Sequence, residues 1–359
     1  VLIVLIVLIV LIVLIVLIVL IMITYNIIPT SLRTHNTILF AGNGNIDFVK
    51  KVAKYFPKCL SDCEITTFSD GEVRIPHIKE NVRNHDCVII QTVGISTKKT
   101  INDLLMELFI LIDALKRGSA RNITVVLPIF PYQRQDRKDY SRAPISSKVI
   151  AQFLEVQGIS RVICFDLHAG QIQGFFDKIP LDNLFSEPYF IQYIRENFTK
   201  DQLNNNFVII SPDEGGVKRA TRVADKLGCD VAIIYKERKK ANEISKMVLM
   251  GNINEKICFI IDDIIDTAGT ACKACDVLID NGATSVYIGA CHGILSGPAI
   301  ERINKSKFTK VIVTNTIEIE ERFPDNDKIE VLDISEMCAS AIDRSLTGKS
   351  LSELMKIDI

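Results

Sequence analysis

Nine short runs of β-branched and other apolar residues constrain the fold of this chain more than any other feature. Each run is almost continuously apolar, which is typical of strands that are buried on both faces of a parallel sheet. The runs are TILFAG (37–42), CVIIQTV (87–93), ITVVLPI (123–129), RVICFDL (161–167), FVIISPD (207–213), VAIIYKE (231–237), KICFIIDD (256–263), SVYIGACH (285–292) and KVIVTNT (310–316). Because parallel strands need crossover connections, the pattern predicts an α/β fold with right-handed crossovers.

Helical patterns lie between these runs. The stretch 102–118 carries an apolar stripe and ends in Lys116-Arg117-Gly118, a cationic last turn followed by a glycine stop. The stripe consists of Leu104, Leu105, Leu108, Leu111, Ile112 and Leu115. The stretches 216–228 and 270–282 show the same arrangement. These stretches are the predicted helices that cover the sheets.

The two halves of the chain carry similar numbers of strands, which predicts two α/β domains of similar size. A boundary is expected near Pro180 and Pro188, which interrupt the pattern. The predicted units are a leader at 1–36, domains at 37–182 and 183–340, and a C-terminal segment at 341–359.

Residues 1–21 are the triplet Val-Leu-Ile repeated seven times. The run has the length of a membrane-spanning helix, about 20 residues. It lacks the basic start and the small-residue cleavage site of a secretory signal. Its perfect repeat favours a non-native low-complexity leader with the real start at Met22, and a membrane anchor is the alternative. A membrane partner is therefore expected only if this run is a real anchor.

Charge and cysteine content limit the function classes. The formal net charge is −1, which argues against a nucleic-acid binder with a broad basic surface. The ten cysteines show no disulfide framework, and Cys272-x-x-Cys275 has no second pair or nearby histidine for zinc. Free thiols indicate a reducing compartment, so we expect a cytoplasmic protein.

Polar residues cluster at the ends of the predicted strands, where ligands of open α/β sheets bind. The most specific cluster is DDIIDTAGT (262–270), which follows a buried strand and opens a helix. A Thr/Gly turn at a helix N-terminus presents backbone N–H groups to an anion. Paired carboxylates beside that turn suit a ligand with hydroxyls or a cation at its other end. A ribose phosphate has this shape.

DDIIDTAGT resembles the phosphoribosyl-diphosphate (PRPP) binding motif of type I phosphoribosyltransferases and PRPP synthetases. Five further motifs resemble the class I ribose-phosphate pyrophosphokinases, that is, the PRPP synthetases. They are RQDRKDYSRAPIS (134–146), DLHAGQIQGFF (166–176), SPDEGG (211–216), KERKKANE (236–243) and HGILSGPAIERI (292–303). The resemblance runs from about residue 38 to the C-terminus. It implies two similar type I phosphoribosyltransferase-like domains, the first on the ATP side and the second binding ribose phosphate.

The resemblance also implies the reaction and its partners. The diphosphoryl group of ATP would pass to the 1-hydroxyl of ribose 5-phosphate, giving PRPP and AMP for nucleotide biosynthesis. Mg²⁺ is the implied cofactor, and a homo-oligomer, a hexamer built from dimers, is the implied assembly. Inorganic phosphate and ADP are the implied effectors.

The roles of individual residues follow from the same resemblance. Lys236 and Arg238 are the implied catalytic pair, on a polar loop that leaves the strand VAIIY, and His168 and Asp213 are implied at the metal. The implied ATP-binding residues are Phe68, Asp70, Glu72, Arg134, Gln135 and Asp136. The implied ribose 5-phosphate site is Asp262, Asp263, Asp266, Thr267, Ala268, Gly269 and Thr270. The implied regulatory phosphate contacts are Asn81, Arg83, Arg142, Ser350 and Ser352, with Asn81 where relatives have serine.

Two alternatives remain open. A phosphoribosyltransferase would consume PRPP and would not need Lys236, Arg238 or the RQDRK segment. A non-catalytic PRPP-synthetase-associated subunit would keep the fold but carry insertions or altered catalytic motifs, and neither is visible. Thr347-Gly348-Lys349-Ser350 imitates the end of a P-loop, but Asp343 stands where the first glycine should be. His292 is predicted to be structural.

Overall fold

The computed structural model describes residues 36–96, 99–240, 243–324 and 326–355. Two separate sheets and one small hairpin organise this part of the chain. The first sheet has five strands in the order β1-β4-β5-β6-β7, and all of its pairings are parallel. The second has seven strands in the order β10-β9-β8-β11-β12-β13-β14. Only its β9–β10 pairing is antiparallel.

The first half builds the five-stranded sheet and the hairpin β2–β3. Its elements are β1 (Thr37–Ala41), α1 (Ile46–Ala53), β2 (Thr66–Thr67), β3 (Val73–Arg74), β4 (Asp86–Ile90), α2 (Ile101–Arg117), β5 (Asn122–Leu127), α3 (Ser146–Val156), β6 (Arg161–Phe165), a 3-10 turn (Gly170–Phe175) and β7 (Leu181–Leu184). Helix α2 begins with a capping box, because the Thr100 side chain accepts from the Asp103 N–H and the Asp103 carboxylate accepts from the Thr100 N–H. It ends before Gly118, as its sequence predicts.

The second half builds the seven-stranded sheet. Its elements are α4 (Glu187–Asn197), α5 (Lys200–Asn205), β8 (Phe207–Ser211), α6 (Val217–Leu227), β9 (Asp230–Lys240), β10 (Glu243–Met250), β11 (Ile257–Ile265), α7 (Gly269–Asp280), β12 (Ser285–Gly293), α8 (Ala299–Lys305), β13 (Lys310–Thr314), β14 (Ile329–Leu332), α9 (Ser335–Thr347) and a 3-10 turn (Ser352–Met355). Helix α6 ends at Gly228, which adopts the left-handed conformation that glycine accepts without steric cost.

All nine apolar runs are strands, so the α/β prediction is confirmed. Each strand sends alternate residues to opposite faces of its sheet. In β1, Phe40 packs in the core under α2, whereas Leu39 packs in the core under α1. Both faces of each sheet are covered, which is why the strands are continuously apolar.

The prediction of a polar loop after VAIIY is wrong. Strand β9 continues to Lys240, where Glu243 of β10 begins the antiparallel return. Pairing with β10 satisfies the backbone N–H and C=O groups of the polar residues, so the charged composition does not end the strand. The side chains of residues 236–240 lie outside the described ones.

The C-terminal helix α9 packs into the first half. Its residues Met337, Cys338 and Ile342 belong to the same buried cluster as Phe48 and Val52 of α1. The first sheet is therefore covered on one face partly by a helix from the other end of the chain. Removing α9 would expose the apolar face of α1 to water.

Buried hydrogen bonds join the two halves. The Asn45 side chain donates to the Asn315 carbonyl at 3.1 Å, and the Thr92 hydroxyl donates to the Thr316 carbonyl at 3.3 Å. His292 is fully buried, and its Nε2–H donates to the Phe165 carbonyl at 3.1 Å. Burial lowers the pKa of His292, so the neutral ring is favoured. These contacts agree with a structural role for this histidine.

Membrane insertion was the alternative for the leader. Within the part of the chain that the structure describes, no helix is both long and apolar enough to cross a membrane. The Val-Leu-Ile run at 1–21 lies outside the described residues.

Candidate active site

Polar groups from both halves meet at the carboxyl ends of parallel strands. His168 follows β6 of the first sheet, Asp213 follows β8 of the second, and Asp262 and Asp263 stand near the end of β11. Strand ends of parallel sheets are the usual position of ligand sites in α/β folds. The predicted acidic pair and the predicted metal residues therefore lie in one region.

One arginine and one histidine hold the acidic pair. The Arg219 guanidinium, on α6, lies 3.2 Å from Asp263 Oδ1 and 3.6 Å from Asp262 Oδ1. His168 Nδ1–H donates to Asp263 Oδ2 at 2.7 Å. Because His168 belongs to the first half and Asp263 to the second, this bond joins the two halves at the site.

The pKa values of the two carboxyls shift in opposite directions. Burial and the neighbouring Asp263 raise the pKa of Asp262 well above its usual value. Burial alone would raise the pKa of Asp263 too, but the His168 hydrogen bond and the Arg219 charge hold it below its usual range. The Asp263 hydrogen bond raises the pKa of His168, although burial acts against it. Asp263 is thus the carboxylate of the pair that both His168 and Arg219 bind.

The loop between β11 and α7 leaves its backbone open to close approach by a ligand. Ala268, before the first helical residue, has φ of 57°, in the left-handed region, and its side chain makes no cap hydrogen bond. Thr267 and Thr270 are exposed, so their hydroxyls face solvent. The helix N-terminus therefore presents backbone N–H groups and hydroxyls to solvent, which suits a phosphate.

A cross-half ion pair connects two predicted binding regions. Arg134, from the predicted ATP segment, lies 2.7 Å from Asp266 Oδ2 of the predicted ribose 5-phosphate loop. The other Asp266 oxygen accepts from the Ser296 hydroxyl. The structure thus brings Arg134 to Asp266.

The neighbours of Arg134 serve other contacts. Gln135 accepts from Ser146 through its side chain and from the Ser147 hydroxyl through its carbonyl, which fixes the start of α3. Asp136 accepts from the Gln171 amide at 2.8 Å. Their hydrogen bonds tie Gln135 to the start of α3 and Asp136 to the 3-10 turn that contains Gln171.

The remaining predicted ATP residues form the tip of the β2–β3 hairpin. The Phe68 N–H donates to the Glu72 carbonyl at 2.8 Å, and the Glu72 N–H donates to Asp70 Oδ1 at 3.1 Å. Phe68 is 48% exposed, with the Arg74 guanidinium over its ring. The hydrogen bonds of the tip stay within the hairpin, so an exposed aromatic face is presented outward.

The predicted catalytic residues lie on β9. Lys236 is opposite Met247, and Arg238 is opposite Ile244 on β10. The two residues stand two positions apart along the strand. Their side chains lie outside the described residues.

The predicted metal residues were tested against the chemistry of Mg²⁺. Among the described residues, no group of three or more histidine, cysteine or carboxylate side chains could hold a metal alone. Mg²⁺ usually keeps several waters and takes one or two protein ligands plus substrate phosphates. His168 donates Nδ1–H to a carboxylate, as metal-binding histidines do, which leaves Nε2 as an acceptor. With a neutral ring, His168 could offer Nε2 to a magnesium–phosphate complex, and Asp213 could offer a carboxylate oxygen, the ligand type that Mg²⁺ prefers.

The predicted regulatory residues are spread over the surface. Asn81 accepts from the Arg83 N–H at 3.1 Å, and the Ser350 carbonyl accepts from Arg344. Arg142 lies in an exposed loop with φ of 66°. Within the described part of the chain, no hydrogen bond or ion pair joins the Asn81 turn to Arg142 or to the C-terminal serines.

Sequence reasoning missed four groups that hold the site in place. They are Gln133, whose side chain accepts from the His168 N–H, together with Arg219, Ser296 and Arg302, which donates to the Thr267 carbonyl. Arg219 lies six residues after Asp213, so the helix pattern could have placed it near the strand ends. No local signal identifies the others, because their partners are distant along the chain.

An open hollow of about 340 Å³ lies elsewhere, beside β1 and α1. It is lined by residues such as Ile46, Leu60 and Glu64, and contains none of the predicted site residues. The convergence of charged groups identifies the candidate site better than this hollow does.

Comparisons with known proteins agree with this architecture. The family described as the N-terminal domain of ribose phosphate pyrophosphokinase matches residues 37–158, and the phosphoribosyl synthetase-associated domain matches residues 240–356. The crystal structure of phosphoribosylpyrophosphate synthetase from Mycobacterium smegmatis is similar, with 36% identity and a TM-score of 0.79. The match covers 87% of this chain and 99% of that one.

Phosphoribosyltransferases match only part of the chain. The adenine phosphoribosyl transferase from Trypanosoma brucei is 16% identical, with a TM-score of 0.28 over 42% of this chain and 63% of that one. The purine phosphoribosyltransferase from Pyrococcus horikoshii is 18% identical, with a TM-score of 0.24 over 41% of this chain and 85% of that one.

Two mainly parallel sheets, with an acidic pair at their junction, belong to a transferase with the phosphoribosyltransferase type of fold. The matched domains and the full-length likeness then decide the family. The chain belongs to the ribose-phosphate pyrophosphokinases, the PRPP synthetases. Its activity is PRPP formation for nucleotide biosynthesis.

Proposed function

We propose that the protein transfers the diphosphoryl group of ATP to the 1-hydroxyl of ribose 5-phosphate. The observation that carries this proposal is the Arg134–Asp266 ion pair, which joins the predicted ATP segment to the predicted ribose phosphate loop. Two substrates that react with each other need adjacent sites, and this contact supports the proposal because it joins the two segments that would bind them.

Ribose 5-phosphate would be bound at both of its ends by the second half. The N–H groups and hydroxyls at the start of α7 would receive the 5-phosphate. Asp262 and Asp263 would accept hydrogen bonds from ribose hydroxyls, and Arg219 and His168 keep Asp263 charged and oriented. The sugar would thus be held with its 1-hydroxyl toward the first half.

ATP would lie between the Arg134 segment and an aromatic surface. The exposed ring of Phe68 could stack on a base, and Asp70 or Glu72 could accept from its amino group. Relatives are expected to complete the ATP site across a subunit contact, and the outward-facing hairpin tip supports that arrangement. A hexamer built from dimers is the assembly we propose.

The reaction is a single displacement at phosphorus. The ribose 1-oxygen forms a bond to the β-phosphorus of ATP while the bond from that phosphorus to the α,β-bridging oxygen breaks. AMP leaves with the bridging oxygen, and the hydroxyl proton is released. Lys236 and Arg238 would close over the phosphates and stabilise the charge that accumulates on their oxygens.

Mg²⁺ is the proposed cofactor, with His168 and Asp213 as its protein ligands. When bound, it would offset the negative charge of the ATP phosphates. Phosphate and ADP remain proposed effectors through Asn81, Arg83, Arg142, Ser350 and Ser352. A cytoplasmic location remains a prediction; all ten cysteines are free thiols.

The test is AMP formation by the protein that starts at Met22, supplied with ATP, ribose 5-phosphate and Mg²⁺. We expect AMP and PRPP in equal amounts. Lys236→Ala and Arg238→Ala should each lower kcat by about 10²–10⁴-fold, the range for losing a transition-state charge stabiliser. Lys240→Ala, in the same basic run, is the matched control and should stay within tenfold.

Either alternative would give a result different from that of the proposed function. A phosphoribosyltransferase would form no AMP from ATP and ribose 5-phosphate. A non-catalytic subunit would form no AMP although the fold is intact. Equal AMP formation by Lys236→Ala and wild type would refute the catalytic assignment.

A further inference from the structure

The turn after β12 contacts the predicted ribose phosphate loop along its backbone. The Leu295 N–H donates to the Ile265 carbonyl at 3.1 Å, and the Ser296 N–H donates to the Asp266 carbonyl at 3.2 Å. The Ser296 hydroxyl also donates to Asp266 Oδ1. The turn therefore reaches both the main chain and the carboxylate of Asp266.

This turn has an unfavourable backbone conformation. Leu295 has φ of 50°, in the left-handed region that non-glycine residues rarely adopt, and it is almost completely buried. Such a conformation persists only where surrounding contacts determine it. The contacts that hold Leu295 therefore decide where Ser296 points.

Arg322 supplies those contacts. It follows β13, and its Nη2 group donates to the Ile294 carbonyl at 2.9 Å and to the Leu295 carbonyl at 3.0 Å. The guanidinium carbon lies 4.7 Å from the centre of the Phe323 ring, which fixes the plane of the group. A planar, oriented donor that bonds two successive carbonyls restrains the turn at both peptide units.

Two groups bind the Asp266 carboxylate and compete for its oxygens. Asp266 Oδ2 pairs with Arg134 of the other half at 2.7 Å, whereas Oδ1 is held by Ser296. Without Ser296, the carboxylate could rotate to give both oxygens to Arg134, since an arginine fork accommodates two oxygens. The Ser296 hydrogen bond keeps the carboxylate aligned within its own loop.

We propose that Arg322 is a positioning residue that acts through the turn 294–296. It holds Ser296 in place, and Ser296 fixes the Asp266 carboxylate in the orientation that ribose 5-phosphate requires. The inference rests on the proposed function, because it assigns a ligand to the loop at 266–270. It adds two residues, Arg322 and Ser296, to the determinants of ribose 5-phosphate affinity.

Isothermal titration of ribose 5-phosphate into the folded enzyme, with the KM values of both substrates, tests this. Arg322→Met keeps the stem and removes the donors, and Ser296→Ala removes only the hydroxyl. Each is expected to weaken ribose 5-phosphate binding about tenfold, equivalent to about 1.4 kcal/mol. The double variant should be no weaker than Arg322→Met alone, because both changes break one chain of contacts. The KM for ATP should change less than the affinity for ribose 5-phosphate does.

The matched control is Lys328→Met. Lys328 also donates to carbonyls, those of Ile303, Asn304 and Ser306, but these lie at the end of α8. Lys328→Met should lower the thermal unfolding midpoint without changing ribose 5-phosphate affinity. Arg322→Lys, which keeps a charged donor, should recover part of the lost affinity, and it replaces Arg322→Met if that variant does not fold.

The outcomes separate the inference from the proposed function. If wild type binds ribose 5-phosphate and the Arg322 variants bind it equally well, the inference is wrong and the proposed function stands. If the single losses add in the double variant, Arg322 does not act through Ser296 and the inference is also wrong. If wild type does not bind ribose 5-phosphate, the proposed function itself fails, and the inference with it.

Discussion

The two halves share a sheet architecture but use the loops at their strand ends differently. In the first half, the loop after β1 is closed: the Gly44 N–H donates to the Gln91 side chain, and Asn43 bonds to Glu107. Glu107 is fully buried and also pairs with Lys99. The polar groups of this loop are used for packing.

In the second half, the loop after β11 is open. Thr267 is exposed and Ala268 carries the chain into α7 without a side-chain cap. Its carboxylates are held by groups from neighbouring elements, Arg219 and Ser296, rather than by a core. We therefore expect the closed loop, whose polar groups bond one another, to contribute mainly to stability and the open loop to contribute mainly to ligand binding.

Neutralising a carboxylate of the open site should give the largest effect on catalysis. Asp263→Asn is expected to lower kcat/KM for ribose 5-phosphate by about 10²–10³-fold, because Arg219 and His168 lose their anion. Asp182→Asn is the matched control, since it removes a carboxylate that pairs with Arg161 in the first half. AMP formation measures both. Similar losses in the two variants would break the comparison.

A substitution in the closed loop after β1 should instead change the stability of the protein. Glu107→Ala is expected to lower the free energy of unfolding by about 3–5 kcal/mol, because the fully buried carboxylate is lost and the partly buried Lys99 is left without its counter-charge. Urea denaturation measures this change. The KM values of the folded protein should stay within twofold, and a rise in KM without loss of stability would contradict the assignment.

Two glycine substitutions sharpen the contrast. A Cβ at Gly44 would lie 1.8 Å from the Thr92 carbonyl oxygen, so Gly44→Ala should cost about 1–3 kcal/mol of stability or more. At Gly269 the nearest atom to a Cβ would be at the far end of the flexible Arg302 side chain, at 3.2 Å. Gly269→Ala should therefore leave the thermal midpoint nearly unchanged and raise the KM for ribose 5-phosphate by about threefold, because phosphate approaches this backbone.

The smallest expected effect lies at the junction of the halves. Asp333 is partly buried, which would raise its pKa, but the Ser335 and Asn315 hydrogen bonds lower it. A carboxyl with a lowered native pKa contributes stability above its unfolded pKa of about 3.9, and this is lost as the pH falls through the native pKa. When the pH is lowered from 5 to 3, the thermal unfolding midpoint of Asp333→Asn should therefore fall less than that of wild type. Parallel pH profiles would contradict this role.

Much of the fold could be predicted because its signals are local. Nine strands and the helix that ends before Gly118 follow from apolar runs and periodic stripes within the segments themselves. Strand β7 carries too short an apolar pattern to be recognised, and β10 follows a charged segment. The extension of β9 was missed because backbone pairing, not side-chain polarity, decides where that strand ends.

The candidate site was predictable where one segment supplies it. The loop at 262–270 carries its carboxylates, its turn and its helix start together. Gln133 and Arg322 could not be found this way, since each bonds to a group more than 25 residues away along the chain. A contact between distant segments leaves no periodic signal in either of them.

The sequence by itself determined the alternation of strands and helices and the turn with its acidic pair that opens α7, because periodicity and turn chemistry act over a few residues. Only the tertiary structure decided that Arg134 meets Asp266, that Arg219 and His168 share Asp263, and that α9 completes the first core. Those contacts depend on how the sheets pack against each other. Packing is set by the whole chain, so the site is complete only when both halves are folded together.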